Sequence, residues 1–179
     1  MRYKFNIKLT ENDYYEFNEF HGLRSKQGKQ AILTLRVAIA VLFCIMALIS
    51  LYGGGFSYGT LVVLLFVVIF ELGLPSFFRR NIKANLKAMK KNGKMAFSPE
   101  SIIEFYEDKL IEETDVNKTE QKYVSVEKVC VITGKFIYIY ISSVQAYIIP
   151  AMAFKDAAEF DEFVEFIKTK SPIVEYYDK

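Results

Sequence analysis

Residues 33–52 read LTLRVAIAVLFCIMALISLY, and residues 58–78 read YGTLVVLLFVVIFELGLPSFF. Between Val37 and Leu51 the only polar side chain is Ser50, and the second run is broken only by Thr60, Glu71, Pro75 and Ser76. A helix rises about 1.5 Å per residue, so roughly 20 apolar residues cross a hydrocarbon core about 30 Å thick. The two runs therefore predict two membrane-spanning helices, about 33–52 and 58–78, with Arg36 snorkelling back to the interface. The uncharged turn Gly53-Gly54-Gly55-Phe56-Ser57 joins them, so the spans form an antiparallel hairpin with both ends on one side. Tyr52, Phe56 and Tyr58 supply interfacial aromatics in a chain without Trp. A signal peptide fits poorly, because the first run starts some thirty residues in and a second span follows it. A soluble helical hairpin fits poorly too, because charge-poor runs of spanning length are rare in soluble chains.

Charge is segregated along the 179 residues. Residues 21–36 carry Arg24, Lys26, Lys29 and Arg36 and no acid; residues 37–78 carry one charge, Glu71. Residues 79–94 carry seven basic side chains and no acid, and residues 95–179 carry nine basic and sixteen acidic ones. The net charge of +2 is thus a basic collar offset by a C-terminal segment of net −7. Basic residues flanking both spans put both termini in the cytosol of a cell membrane.

The collar helix, residues 79–93, has Ile82, Leu86 and Met89 at i, i+4, i+7, and Gly93 is a C′ stop. The second span is expected to run on into it. Arg79, Arg80, Lys83, Lys87, Lys90 and Lys91 then lie where anionic lipid headgroups attract them, each by about 1 kcal/mol. Their place beside a span argues for lipid and against nucleic acid. Glu71 and Arg36 form the candidate intramembrane polar site, since an acid at that depth is a functional candidate by default. The bland alternative for Glu71 is snorkelling, protonation or a hydrogen bond within the hairpin. Pro75 is expected to kink the second helix.

From residue 94 to 170 the pattern becomes strand-like. Strands are predicted at Ile102–Tyr106, Lys109–Thr114 and Lys122–Ile132, the last bending near Glu127, then at Phe136–Ile141 and Gln145–Ile149. Asp115–Lys118 and Thr133-Gly134-Lys135 are read as turns. The aromatic and β-branched side chains of Phe136–Ile141 alternate, so both of its faces are expected to be covered. Asp156 and Glu159 resemble a capping box before a helix whose Phe160, Phe163, Val164 and Ile167 form an apolar stripe. Residues 171–179 are read as a tail. In the N-terminal segment, 1–30, a strand Tyr3–Leu9 precedes a short helix beginning at Thr10 and Asp13, with Tyr14, Phe17 and Phe20 on one side. Too small to fold alone, that strand is expected to pair with the C-terminal sheet across the 31–78 hairpin. Cys44 and Cys130, far apart in sequence, are read as reduced, buried fillers.

Three stretches of sequence carry a resemblance. They are Val126-Glu127-Lys128-Val129, Phe136-Ile137-Tyr138-Ile139-Tyr140, and Gln145 to Pro150 followed by Phe154 and the Phe-rich helix. With the two spans and the basic helix, they resemble the YcxB-like family of small bacterial membrane proteins. The resemblance implies a membrane α+β protein: a two-helix transmembrane hairpin plus a cytosolic pleckstrin-homology-like small β-barrel capped by a C-terminal helix. It implies architecture and location, with no established chemistry.

No enzyme chemistry can be assembled from the residues. The single histidine, His21, has no nucleophile–base arrangement around it, and the acids sit at turns and helix exteriors. No Gly-rich phosphate loop and no cofactor or metal motif occurs. The sequon Asn117-Lys118-Thr119 would go unmodified on the cytosolic side. The reading is a non-enzymatic binding or scaffold module with three expected partners: an anionic bilayer, a basic protein and, for assembly, a second copy of the chain. A small oligomeric transporter or pore using Glu71 is the alternative, and a bacteriocin or stress immunity protein is a further one.

Overall fold

The computed structural model describes residues 1–52, 58–93 and 98–178. The chain divides into two compact units, Met1–Tyr14 with Met95–Lys179, and Tyr15–Lys94. The expected turn Gly53–Ser57 and the approach to the first expected C-terminal strand lie outside the described residues.

The first unit is built from strands. Its β1 (Tyr3–Lys8) pairs antiparallel with β2 (Glu100–Phe105), Tyr3 opposite Phe105 and Lys8 opposite Glu100. This is the pairing across the intervening helices that the shortness of the N-terminal segment demanded. Arg2 N–H donates to the Phe105 carbonyl at 2.7 Å and Leu9 N–H to that of Pro99 at 2.8 Å, extending the ladder at both ends. β3 (Lys109–Glu113) and β4 (Lys118–Lys122) complete a sheet of order β1-β2-β3-β4. Alternation sends Phe5, Ile7, Ile103, Phe105 and Leu110 inward and leaves Lys4, Lys8 and Glu104 outside.

The second sheet contains β5 (Lys128–Ile132), β6 (Phe136–Tyr140), β7 (Ala146–Pro150) and β8 (Val174–Tyr177), in the order β7-β6-β5-β8. Every residue of β5 and β6 is buried, so both faces of β6 are covered as its composition requires. Gly134 turns the β5–β6 hairpin at φ 66, in the left-handed region that glycine enters without a Cβ clash.

Three sequence readings change. The single strand expected over Lys122–Ile132 is two strands in different sheets. The chain crosses between them through a 3₁₀ turn, Tyr123–Ser125. Tyr123 and Val126 drop into the core there, and the Tyr123 hydroxyl donates to the Tyr106 carbonyl at 2.9 Å. Lys118, read as the end of a turn, opens β4, whose sequence KTEQK has no apolar residue to mark it. The tail is not featureless, because β8 runs parallel to β5 with Val129 opposite Val174.

The helix α4 (Ala157–Lys168) closes the unit. Asp156 caps it by accepting from Glu159 N–H at 2.9 Å. Glu159 Oε2 reaches back to the N–H of Lys155 at 2.7 Å, one residue earlier than a regular capping box requires. Phe160, Phe163, Val164 and Ile167 enter the core as the stripe predicted. Phe163 is fully buried, with ring centroids 4.8 Å from Phe105 and 5.1 Å from Phe5 in edge-to-face packing.

The second unit is helical. The helix α1 (Glu11–Glu19) begins in the first unit, where Thr10 and Asp13 form a reciprocal cap: Asp13 N–H donates to Thr10 Oγ1 at 3.2 Å and Thr10 N–H to Asp13 Oδ2 at 2.8 Å. A π-helical segment, Phe20–Arg24, follows, and nothing in the sequence announced it. Buried Ser25 ends it and caps α2 (Lys26–Tyr52), accepting from Gly28 N–H at 3.0 Å and donating to the His21 carbonyl at 2.7 Å. A Cβ on Gly28 would lie 2.4 Å from that same carbonyl oxygen, so only glycine fits the close approach. α3 (Tyr58–Lys91) is one continuous helix containing Pro75, and Gly93 follows it at φ 65 as its C′ residue.

Candidate functional site

The half-buried residues of α2 are Ile32, Arg36, Ile39, Phe43, Ala47 and Ser50, which recur at helical spacing along one stripe. On α3 the matching stripe runs through Val67, Glu71, Leu74, Pro75 and Phe78. The two helices run antiparallel: Arg36 near the start of α2 meets Glu71, and Glu19 before it meets Arg79. Outside this stripe Leu42, Ile45, Ile49, Leu65, Ile69 and Leu72 are all exposed. Cys44 is exposed as well, correcting its reading as a buried filler, whereas Cys130 is buried as expected. Among the described residues one helix, Lys26–Ser50, is long and apolar enough to cross a membrane, and its most apolar stretch has mean hydropathy 2.7.

The candidate polar pair Arg36 and Glu71 is brought together. Arg36 Nε lies 3.1 Å from Glu71 Oε2, without hydrogen-bond alignment. The contact gives each of these two partly exposed charges a partner of opposite sign. The basic helix expected over 79–93 is the last part of α3. Arg79 Nε donates to Glu19 Oε1 at 2.9 Å, and Lys83 Nζ sits 5.1 Å from the Tyr15 ring centroid. Arg80, Lys87, Lys90 and Lys91 are exposed. Of the predicted stripe, Ile82 and Leu86 are half-buried and Met89 is exposed.

Beside these helices is a cavity of about 440 Å³ lined by Arg24, Lys29, Arg36 and Arg79 together with apolar neighbours. Reading the sequence for charge placed Arg36 and Arg79 in candidate sites but left Arg24 and Lys29 as topology signals. The usable signal was spacing: Lys29, Ile32, Leu33 and Arg36 stand at i, i+3, i+4, i+7 on α2.

In the strand unit, α4 and β1 border an acidic groove of about 520 Å³, with Asp161, Glu162 and Glu165 beside Arg2, Tyr3 and Phe166. A second groove of about 640 Å³ opens at the ends of β1–β3, where Glu100, Glu113 and Asp115 outnumber Lys8. Neither groove was foreseen as a site.

Sequence reading also missed a buried polar cluster on β5 and β8. Lys128 Nζ lies 3.7 Å from Glu175 Oε2 and 4.8 Å from the Tyr140 ring centroid. The same carboxylate oxygen accepts from Tyr177 Oη at 2.8 Å and Cys130 Sγ at 3.6 Å. Burial, more than the neighbouring charges, pushes the Cys130 thiol up to about 12, so it keeps its proton and is no nucleophile at neutral pH. Charge-assisted bonds to one carboxylate hold β8 against β5, which makes the cluster a structural clamp.

Glu112 stands opposite Ile103 in the β2–β3 ladder and therefore faces inward. Burial raises its pKa, and a hydrogen bond with Ser101 partly opposes the rise. Tyr147 is pushed up to about 12, chiefly by burial and further by the Glu112 charge. No group of three or more metal-ligating side chains gathers among the described residues.

Residues 105–167 match the family model described as YcxB-like protein. The matched stretch runs from the last residue of β2 to the penultimate residue of α4 and includes neither long helix. No curated protein and no solved structure matches the chain.

Proposed function

With residues 105–167 similar to a YcxB-like protein, we propose that the chain is a bilayer-anchored binding module. In this reading α2 and α3 form a two-span transmembrane hairpin, and the strand unit is a cytosolic pleckstrin-homology-like domain that docks a protein partner. One observation carries the anchor: around the single stripe of contact, both helices expose Leu, Ile, Val and Phe. Such a surface is unstable in water and matches hydrocarbon. The first span meets the requirement of length and composition on its own. The second draws support from exposed Leu61, Leu65, Phe66, Ile69 and Leu72 and from the ion pair that neutralises Glu71. Basic residues before α2 and along the end of α3 favour the cytosol for both termini.

The strand order β1-β2-β3-β4 and β7-β6-β5, closed by α4, supports the pleckstrin-homology-like reading, with the helical hairpin inserted between β1 and β2. The acidic groove beside α4 supports a basic partner, as does the net −7 of residues 95–179.

The anchor is tested by thiol accessibility in intact cells. In a chain with Cys44→Ser and Cys130→Ser, Ser57→Cys should react with an impermeant maleimide, and Ser171→Cys should react only after the cells are opened. The reverse pattern would overturn the topology. For the partner, Asp161→Lys with Glu165→Lys should abolish co-purification of a basic protein from solubilised membranes. Retention of every partner through that change would rule the groove out.

A further inference from the structure

We propose that the basic cavity between α2, α3 and the π-helical segment binds the phosphate of one anionic phospholipid headgroup. The proposal deepens the membrane-anchor reading and rests on it. Arg24, Lys29, Arg36 and Arg79 line the cavity, and no acid does. Four cations on three separate elements converge on one concave space of about 440 Å³, large enough for a headgroup. Glu71, paired with Arg36, and Glu19, paired with Arg79, sit outside the lining. They leave the lining a cationic surface and hold two of its guanidinium groups in place.

The local fold sets this geometry. Lys29 and Arg36 are seven residues apart on one face of α2, about 10 Å along its axis. Ile32 and Leu33 stand between them on the same face. Pro75 and Arg79 are one turn apart on α3. Arg24 is delivered by the π-helical turn that Ser25 and the Gly28 close approach fix in place. The lining is therefore mixed: four cationic side chains with Ile32, Leu33 and Pro75 alongside them. A phospholipid offers the complement of both features, an anionic phosphodiester joined to an apolar glycerol and acyl region. Guanidinium forks match phosphate oxygens in pairs, and basic pockets between spans take anionic headgroups. A diffuse attraction to the leaflet needs no cavity and no apolar wall; this site has both.

Free inorganic phosphate offers the same oxygen chemistry without the acyl chains, so the test separates the two. The full chain is purified in detergent, loaded with equal amounts of dioleoylphosphatidylglycerol and dioleoylphosphatidylcholine, and weighed intact by native mass spectrometry. One phosphatidylglycerol should be retained in preference to phosphatidylcholine. Arg24→Gln with Lys29→Gln should lower that retention about tenfold or more. Arg80→Gln with Lys87→Gln removes equal charge from exposed positions on α3 and should lower it by a much smaller factor. Lys29→Gln alone, at an exposed position that no cap depends on, should fall between them and guards against misfolding of the double variant. Equal losses from the two double variants would overturn the site in favour of a diffuse collar. Displacement of the lipid by millimolar inorganic phosphate, with the same thermal stabilisation, would overturn the lipid assignment. Release of the chain from native membranes by alkaline carbonate would instead overturn the anchor reading; firm retention in carbonate without lipid selectivity overturns the cavity alone.

Discussion

In β5 and β6 all ten residues are buried, among them Val129, Val131, Ile137 and Ile139. In α2 the same kinds of side chain, Leu42, Ile45 and Ile49, are half or more exposed. The strand unit makes its own apolar environment: two sheets and α4 fold over Phe5, Phe105, Phe154 and Phe163. Among the described residues the helix pair meets along one stripe, and Leu42, Ile45, Ile49, Leu65 and Ile69 outside it are exposed. Burial of apolar area contributes roughly 25 cal/mol per Å², a contribution that the exposed side chains of α2 and α3 do not obtain from the chain itself. Composition alone does not separate these regions. Periodicity does: the strands alternate and turn every few residues, whereas α2 from Val37 to Ile49 is apolar all the way round.

The largest expected effect pairs one substitution from each region. Phe163→Ala removes the ring around which Tyr3, Phe5, Phe105 and Phe154 pack, and should destabilise the strand unit by about 3–5 kcal/mol. Ile45→Ala removes an exposed side chain from α2 and should cost less than about 1 kcal/mol in detergent, because no protein cavity opens. Denaturant titration of the full chain in micelles, followed by aromatic circular dichroism, compares the two. Similar losses would break the contrast and mean that α2 is covered by protein.

A second, smaller effect concerns the charged contact on the helix stripe. Arg36→Gln and Glu71→Gln each leave the other charge without its partner at 3.1 Å. The double variant should be more stable than the sum of the single losses implies, by about 1 kcal/mol. A coupling near zero would mean the two groups are solvated separately, as surface pairs are. A gain of crosslinked dimer in Glu71→Gln would point to a role for Arg36 between copies of the chain.

The sequence was legible where one physical signal dominated. Two charge-poor runs announced the long helices, Gly93 its stop, and Asp156 with Glu159 the cap of α4. Tyr3–Leu9 had to find a sheet, and only the C-terminal strands offered one. What stayed hidden was set by tertiary context. β4 is polar throughout and becomes a strand only because β3 presents a free edge. β8 has four residues and is held by Lys128 and Glu175, which lie far apart in sequence. The basic cavity needed the π-helical turn to carry Arg24 to Lys29 and Arg79, and no spacing rule marks such a turn.

The smallest effect tests the strand unit against itself. Two of its acids sit in opposite settings. Exposed Glu107 is bonded to Lys170 and Arg2, which hold its carboxyl below the ordinary value. Inward-facing Glu112 is raised by burial, against the pull of Ser101. The sign follows from proton binding. Between the ordinary carboxylate value and the raised one, folded Glu112 holds more proton than unfolded Glu112, so stability falls as pH rises through that window. Below the ordinary value both states are protonated and the penalty vanishes; above the raised value it is present in full. Glu112→Gln keeps an acceptor for the Ser101 hydroxyl and removes the charge. It should therefore raise the melting temperature near neutral pH by a few degrees, with the gain disappearing below the ordinary carboxylate range. Melting curves of wild type and Glu112→Gln at the two pH values decide the matter. A gain that persists unchanged at acid pH would show that shape, not charge, sets the cost of this position. A loss at neutral pH would show that the carboxylate is satisfied inside the sheet as Glu107 is outside it.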